Sequence, residues 1–213
     1  MVSPSADAKS AASPSGGSIA ARSATPIARF LVVCCGWWLV FYAFLTAAEI
    51  LARKFLGKSI QGVDEIGGYT LAVVSALGFA WALVSRAHTR VDFLLGRTDE
   101  RPRAILNAAA YVTLAVAAAF AAWKGWGTLA ETIEFRSRST TPLQLPLWIP
   151  QSMWFAGIAF FAATAAAMAV EAVVLLFADR RELNRRFGTL TVEEEIAVET
   201  GGLIEIPAPA KRE

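Results

Sequence analysis

The amino-acid sequence predicts an all-α integral membrane protein with four transmembrane helices. Of its 213 residues, 55% are hydrophobic and only 18% are charged, and the mean hydropathy is +0.47. Soluble domains usually carry about a quarter charged residues. The apolar residues cluster into four runs, each long enough for a helix to cross the hydrocarbon core of a bilayer. The formal net charge of +2 gives no strongly basic face, so the composition does not indicate a nucleic-acid partner.

The predicted membrane domain covers residues 27–178. Its four spans are expected near residues 27–51, 65–87, 104–129 and 148–177. Residues 1–26 are rich in Ser, Ala, Pro and Gly and cannot bury enough apolar surface to offset their ordering entropy, so we expect a disordered tail. A cleaved signal peptide is the alternative, but the polar lead is too long for an n-region and the apolar run too long for an h-region. Residues 179–213 are predicted to form a polar tail.

The first two spans differ in the size of their side chains. The bulky residues of the first span include Trp37, Trp38, Phe41 and Phe44. Such a helix suits contact with lipid or with a flat partner surface. In the second span, small residues occupy every fourth position: Gly68, Ala72, Ala76 and Ala80. This pattern lets a neighbouring helix approach closely, so we expect that face to pack inside the protein.

Charged residues mark the junction between these two spans. Glu49 and Arg53 are one helical turn apart and can form an ion pair on one face, and docking to another subunit is the functional alternative. Asp64 and Glu65 stand at the entry to the second span, where negative charge interacts favourably with the helix dipole.

Two further polar features follow along the chain. His88 and Asp92 are four residues apart and can either stabilise a short helix end or serve as a polar anchor for a partner subunit. Glu171 lies about 10 Å inside the fourth span by helical rise. An intramembrane acid is a functional candidate by default. It can equally be protonated, or reach Arg86 or Arg180 near the edge of the membrane.

The sequence indicates neither a cofactor site nor a metal site. It contains one histidine, which cannot supply the paired axial imidazoles of a membrane cytochrome. Cys and His do not occur at the spacings of zinc sites. The histidine has no obvious nucleophile and third group to complete a catalytic set. We therefore do not expect an enzyme.

The distribution of Lys and Arg predicts the orientation in the membrane. The predicted tails and the loop between the second and third spans together carry 14 of these residues, and the two opposite loops carry 6. Because positive residues accumulate on the cytoplasmic side, both termini and the loop with His88 and Asp92 are expected there.

Taken in order, these features resemble the DctQ-like family, the small membrane subunit of tripartite ATP-independent periplasmic (TRAP) transporters. The resemblance covers residues 27–180. It rests on the four-span layout, on Glu49 with Arg53 closing the first span, and on Asp64 and Glu65 before the second. Three further features complete the pattern. They are a glycine late in the second span, Gly78, the run RAHTRVDFLL from Arg86, and the proline-rich loop TTPLQLPLWIP from Thr140.

The resemblance implies a role without chemistry of its own. It implies a bacterial inner-membrane scaffold for a large DctM-like subunit, which carries sodium and an organic acid delivered by a periplasmic substrate-binding protein. The polar residues named above and the bulky residues of the first span would then be subunit contacts. Two other readings remain open: a self-contained oligomeric tetraspan channel or exporter, and a membrane anchor for a redox enzyme. A channel would need polar residues along a path, and the few polar residues within the spans form no clear stripe.

Overall fold

The computed structural model describes residues 18–85, 100–141 and 143–187, and all regular secondary structure in these ranges is helical. The helices are α1 (Ile19–Leu56), α2 (Val63–Val84), α3 (Glu100–Glu134), α4 (Trp148–Ala178) and α5 (Arg180–Phe187). The first four are long and apolar enough to cross a membrane. The prediction of an all-α protein with four candidate spans is therefore confirmed. His88 and Asp92 lie outside the described residues.

Helix α1 begins eight residues before the predicted start of the first span, so residues 19–26 are helical although their composition indicated a disordered tail. The helix starts at Ser18, whose side-chain oxygen accepts a hydrogen bond from the backbone nitrogen of Ala21 at 3.2 Å. Such an N-cap satisfies one of the unpaired amide groups of the first turn. Ala21, Ala24 and Ala28 are buried against the bundle. Packing of these alanines supplies the apolar burial that the local composition lacks.

Helix α4 is the centre of the bundle. It contacts α3 and α2 most extensively, and α1 packs mainly against α2. The buried positions of α4 are mostly small, among them Gly157, Ala165 and Ala172. Alanines also dominate the buried face of α3. Small side chains let the helix backbones approach closely, and close approach stabilises association where no hydrophobic effect drives it.

Helix α5 lies in the segment that the sequence assigned to a polar tail. Its Leu183 and Phe187 are fully buried in the core, and the Phe187 ring meets Tyr111 of α3 edge-on at 4.8 Å between centroids. Asp179 starts α5, because its carboxylate accepts hydrogen bonds from the backbone nitrogens of Arg181 and Glu182. The apolar pair at i and i+4 therefore holds a strongly charged helix against the end of the bundle.

The small-residue face of α2 is only half internal. Ala76 and Ala80 are buried, as predicted, but Gly68 and Ala72 are exposed. Four residues turn a helix by about 40° more than a full turn, so a four-residue repeat drifts around the helix by about 120° between positions 68 and 80. At the buried end, a Cβ added to Gly157 of α4 would lie 3.0 Å from the backbone of Ala76. The α2–α4 crossing therefore has no room for a side chain at position 157.

Candidate functional site

Of the charged and aromatic residues singled out by the sequence, those that the structure describes lie at the two ends of the bundle and along α1. One end, called here the hairpin end, contains the carboxyl end of α1, the amino ends of α2 and α4, and residues 135–141 and 143–147. The opposite end, called here the terminal end, contains Ser18, the amino end of α3 and helix α5.

At the hairpin end, Glu49 holds the turn between α1 and α2. Glu49 is only 5% exposed. Its carboxylate accepts hydrogen bonds from Arg53 at 3.0 Å and from Ser59 at 2.9 Å. Gly57 ends α1 with φ of 62°, a left-handed conformation that glycine adopts without strain. The expected Glu49–Arg53 pair is thus present, and it also fixes the returning chain through Ser59, which has no signature in the sequence.

Glu65 forms a second cluster at the hairpin end. Its carboxylate accepts hydrogen bonds from the hydroxyl of Tyr69 at 2.6 Å and from the hydroxyl of Thr141. Thr141 is in turn bonded to Ser139. Glu65 therefore does more than complement the dipole of α2: it ties the start of α2 to the segment that links α3 and α4. Its neighbour Asp64 is exposed.

The segment that Glu65 contacts folds back on itself as a short irregular hairpin. Backbone hydrogen bonds join Ser139 to Leu145 at 3.0 Å and Leu147 to Ser137 at 3.1 Å. Arg136 has a φ of 48°, which is uncommon for a residue with a side chain. The described residues of this segment thus form no regular helix before α4 begins at Trp148.

Two aromatic residues of α1 donate hydrogen bonds to α2. The indole nitrogen of Trp38 donates to the hydroxyl of Thr70 at 2.9 Å, and the Tyr42 hydroxyl donates to the backbone carbonyl of Val63 at 3.0 Å. Gly67 makes room for the second bond, because a Cβ there would lie 2.2 Å from the Tyr42 oxygen. Trp38 is therefore partly an internal anchor, whereas the sequence placed it wholly on an outer surface.

The other bulky residues of α1 form an exposed stripe. Trp37, Phe41 and Phe44, at positions i, i+4 and i+7, are 73%, 57% and 72% exposed. The stripe continues along the helix in both directions through Phe30 and Phe55. The described residues bury none of the most apolar 18-residue window of α1. This stripe is called here the aromatic face of α1.

At the terminal end, Glu171 of α4 caps the amino terminus of α1. Its carboxylate accepts hydrogen bonds from the Ser18 hydroxyl at 2.9 Å and from the backbone nitrogens of Ile19 and Ala20, both at 3.1 Å. The Arg186 guanidinium donates a fourth bond at 3.0 Å. The helix amino terminus and the guanidinium are both positive, so the arrangement favours a carboxylate anion.

Among the described residues, the arginine that contacts Glu171 is therefore Arg186 and not Arg180, which was one of the two arginines expected from sequence. Arg86 lies outside the described residues, and Arg180 is exposed beyond the end of α4. Arg186 also donates to Glu182 at 2.6 Å. The hydrogen bond to Glu182, and then the one to Glu171, raises the pKa of Arg186, so this guanidinium is charged at any physiological pH. A link between Glu171 and Ser18, more than 150 residues apart, leaves no local pattern.

A comparison with protein-family models identifies the family of this chain. The model for the DctQ component of tripartite ATP-independent periplasmic transporters matches residues 42–175. The chain belongs to the DctQ family. The resemblance noted from the sequence is therefore confirmed. Searches of curated proteins and of solved structures gave no match. DctQ proteins are the small membrane components of TRAP transporters and work with a DctM subunit and a substrate-binding protein.

The DctQ match covers most of the four-helix bundle and leaves out its additions. Glu49, Glu65 and Glu171 all fall inside the matched residues. Ser18 and Arg186, the residues that complete the Glu171 cluster, fall outside them. Trp37 and Phe41 of the aromatic face also precede the match, whereas Phe44 lies within it. The hairpin end therefore belongs wholly to the family domain, and the terminal end combines it with flanking helical segments.

The three glutamate clusters of this DctQ protein are held by hydrogen bonds within the chain. Each of the three glutamates is engaged by hydroxyl, amide or guanidinium donors. Among the residues that the structure describes, no group of three His, Cys, Asp or Glu could hold a metal ion. What the arrangement does is tie helix ends together: α1 to α2 through Glu49, α2 to the hairpin through Glu65, and α1 to α4 and α5 through Glu171.

Proposed function

We propose that this DctQ protein is the scaffold subunit of a TRAP transporter. It supports a large DctM-like subunit, which carries out sodium-coupled uptake of an organic acid delivered by a periplasmic substrate-binding protein. The aromatic face of α1 is the observation that carries the proposal, because it is a long, bulky surface that none of the described residues covers. Family membership supports the partners.

The polar side chains within the spans support a role without a transport path. Thr46, Thr113 and Thr164 each donate to a backbone carbonyl four residues earlier in the same helix. Asn107 donates to Asn184 of α5 at 3.1 Å. Glu171 is engaged at the helix start described above. A path for an ion or a substrate needs polar groups that face a shared cavity. These groups are instead bonded to their own bundle.

The aromatic face is proposed to contact the large subunit rather than lipid alone. Two hydrogen bonds, from Trp38 and Tyr42, fix the rotation of α1 about its axis relative to α2. Helix α1 therefore presents Trp37, Phe41 and Phe44 in a defined direction. Large aromatic side chains are enriched among residues that dominate binding energy at protein interfaces. Arg53, Asp64 and their neighbours at the hairpin end are proposed as polar anchors beside this face.

The protein is proposed to lie in a bacterial inner membrane with both termini in the cytoplasm. The bias of Lys and Arg toward the predicted tails and the loop between α2 and α3 supports this orientation. The hairpin end then faces the periplasm, where the substrate-binding protein docks. A reporter fused after residue 213 should be active only if that end is cytoplasmic, and a periplasmic C-terminus would contradict the orientation.

Co-purification tests the proposed interface. The chain is expressed with a DctM-like large subunit, and the variant Trp37→Ala/Phe44→Ala is compared with Trp123→Ala/Phe120→Ala on α3, whose side chains are also exposed. We expect the first pair to reduce recovery of the large subunit by tenfold or more, at about 1–2 kcal/mol per truncated anchor. The second pair should leave recovery unchanged. Equal recovery with both variants would reject the aromatic face as the contact.

A further inference from the structure

A polar cavity of about 370 Å³ lies at the terminal end, where α3 begins and α4 passes into α5. It is separate from the three glutamate clusters, and the proposed function does not use it. Its charged lining residues are Glu100, Arg101, Asp179, Arg180 and Arg181. Phe177 and Ala178 complete the wall on the side of α4.

The acids of this cavity are engaged, whereas two of its arginines are not. The Asp179 carboxylate accepts hydrogen bonds from the backbone nitrogens at the start of α5. Glu100 lies 3.6 Å from Arg181 in an exposed ion pair. Arg101 and Arg180 are exposed and have no hydrogen-bond or ion-pair partner within the part of the chain that the structure describes. The cavity therefore presents two guanidinium groups, each able to bind phosphate oxygens in a bidentate manner.

An apolar stripe of α4 leads directly into the cavity. Val170, Val174 and Phe177, at positions i, i+4 and i+7, are exposed, and Phe177 is the most exposed of them at 83%. On α3, Ile105 stands one turn beyond Arg101 and is also exposed. Charged residues thus give way to membrane-facing apolar residues at one level of the bundle. A free phosphate would use only the arginines, but a lipid would use both parts.

We propose that this cavity binds the headgroup of an anionic glycerophospholipid, with an acyl chain along the Val170–Val174–Phe177 stripe. Arg101 and Arg180 hold the phosphodiester oxygens, and Phe177 contacts the top of the chain. Basic pockets between transmembrane helices on the cytoplasmic side recognise anionic lipids in this way. The occupant would bridge α3 to the α4–α5 junction, and so strengthen the attachment of α5 to the bundle.

Native mass spectrometry of the full chain in detergent, titrated with phosphatidylglycerol, tests the site. The variant Arg101→Gln/Arg180→Gln is compared with Arg136→Gln/Arg138→Gln, which removes the same charge from exposed positions at the hairpin end. Each arginine near an anionic surface contributes about fivefold in affinity, so the first variant should bind roughly 30-fold more weakly. The second should bind as the unmodified chain does. Equal losses in both variants, or no loss in the first, would overturn the proposal.

Two further arms separate the lipid from other sources of the same chemistry. Phosphatidylcholine with the same chains should bind several-fold more weakly than phosphatidylglycerol, because its headgroup carries no net negative charge. Glycerol phosphate, which has no chain, should not compete. Phe177→Ala should weaken binding of phosphatidylglycerol. Because Phe177 is highly exposed, this substitution should not disturb the fold. Competition by glycerol phosphate at matched concentration, or equal affinity for phosphatidylcholine, would contradict the lipid assignment.

Discussion

Replacing Glu171 with alanine tests the junction at the terminal end. The substitution removes the shared acceptor of the Ser18 hydroxyl, two backbone nitrogens and the Arg186 guanidinium. A hydrogen bond to a charged group contributes about 1.5–3 kcal/mol, and loss of a helix cap costs about 1 kcal/mol. Arg186 keeps Glu182 as a partner, so its charge is not left unpaired. We therefore expect a loss of about 2–3 kcal/mol.

Thermal unfolding in detergent measures this loss. For a chain of this size, 1 kcal/mol corresponds to about 2–4 °C, so the midpoint should fall by about 5–10 °C. Glu171→Gln keeps an acceptor oxygen but loses the charge and should fall by about half as much. Glu131→Ala removes an exposed acid of α3 and is the matched control. If Glu171→Ala lowered the midpoint no more than Glu131→Ala, the capping role of Glu171 would be refuted.

Two further predictions concern helix packing. Gly157→Leu should prevent close approach of α4 to Ala76 and reduce the yield of folded protein in detergent, whereas the same change at Gly36, which has open space around it, should have no effect. Trp38→Phe and Thr70→Val should each destabilise the bundle by about 0.6 kcal/mol, the average for hydrogen bonds between membrane helices. The double variant should cost no more than either single one, and additive losses measured by unfolding would show that the two side chains do not interact.

Much of the fold could be predicted because it depends on local properties. Four apolar runs of sufficient length specify four spanning helices, since a bilayer requires each segment to satisfy its backbone internally. The Glu49–Arg53 pair could also be predicted from the sequence, because a spacing of four places both residues on one helix face. The bulky character of the first span likewise corresponds to the exposed aromatic face.

The remaining features depend on contacts between distant segments. Glu171 was recognised as an unusual acid, but its partners Ser18 and Arg186 are set by how α1 and α5 pack on α4. Glu65 likewise meets Thr141 only because the hairpin folds over α2. A polar composition indicated tails at both ends, yet residues 19–26 and 180–187 are helical because the bundle supplies their apolar neighbours.

In the proposed role, this DctQ protein transports nothing alone and is required by its large partner. Uptake of a radiolabelled organic acid into liposomes under a sodium gradient tests it, with this chain alone, the large subunit alone, and both together, each with the substrate-binding protein. We expect uptake only when both membrane subunits are present. Uptake by this chain alone, or full uptake without it, would rule out this scaffold role.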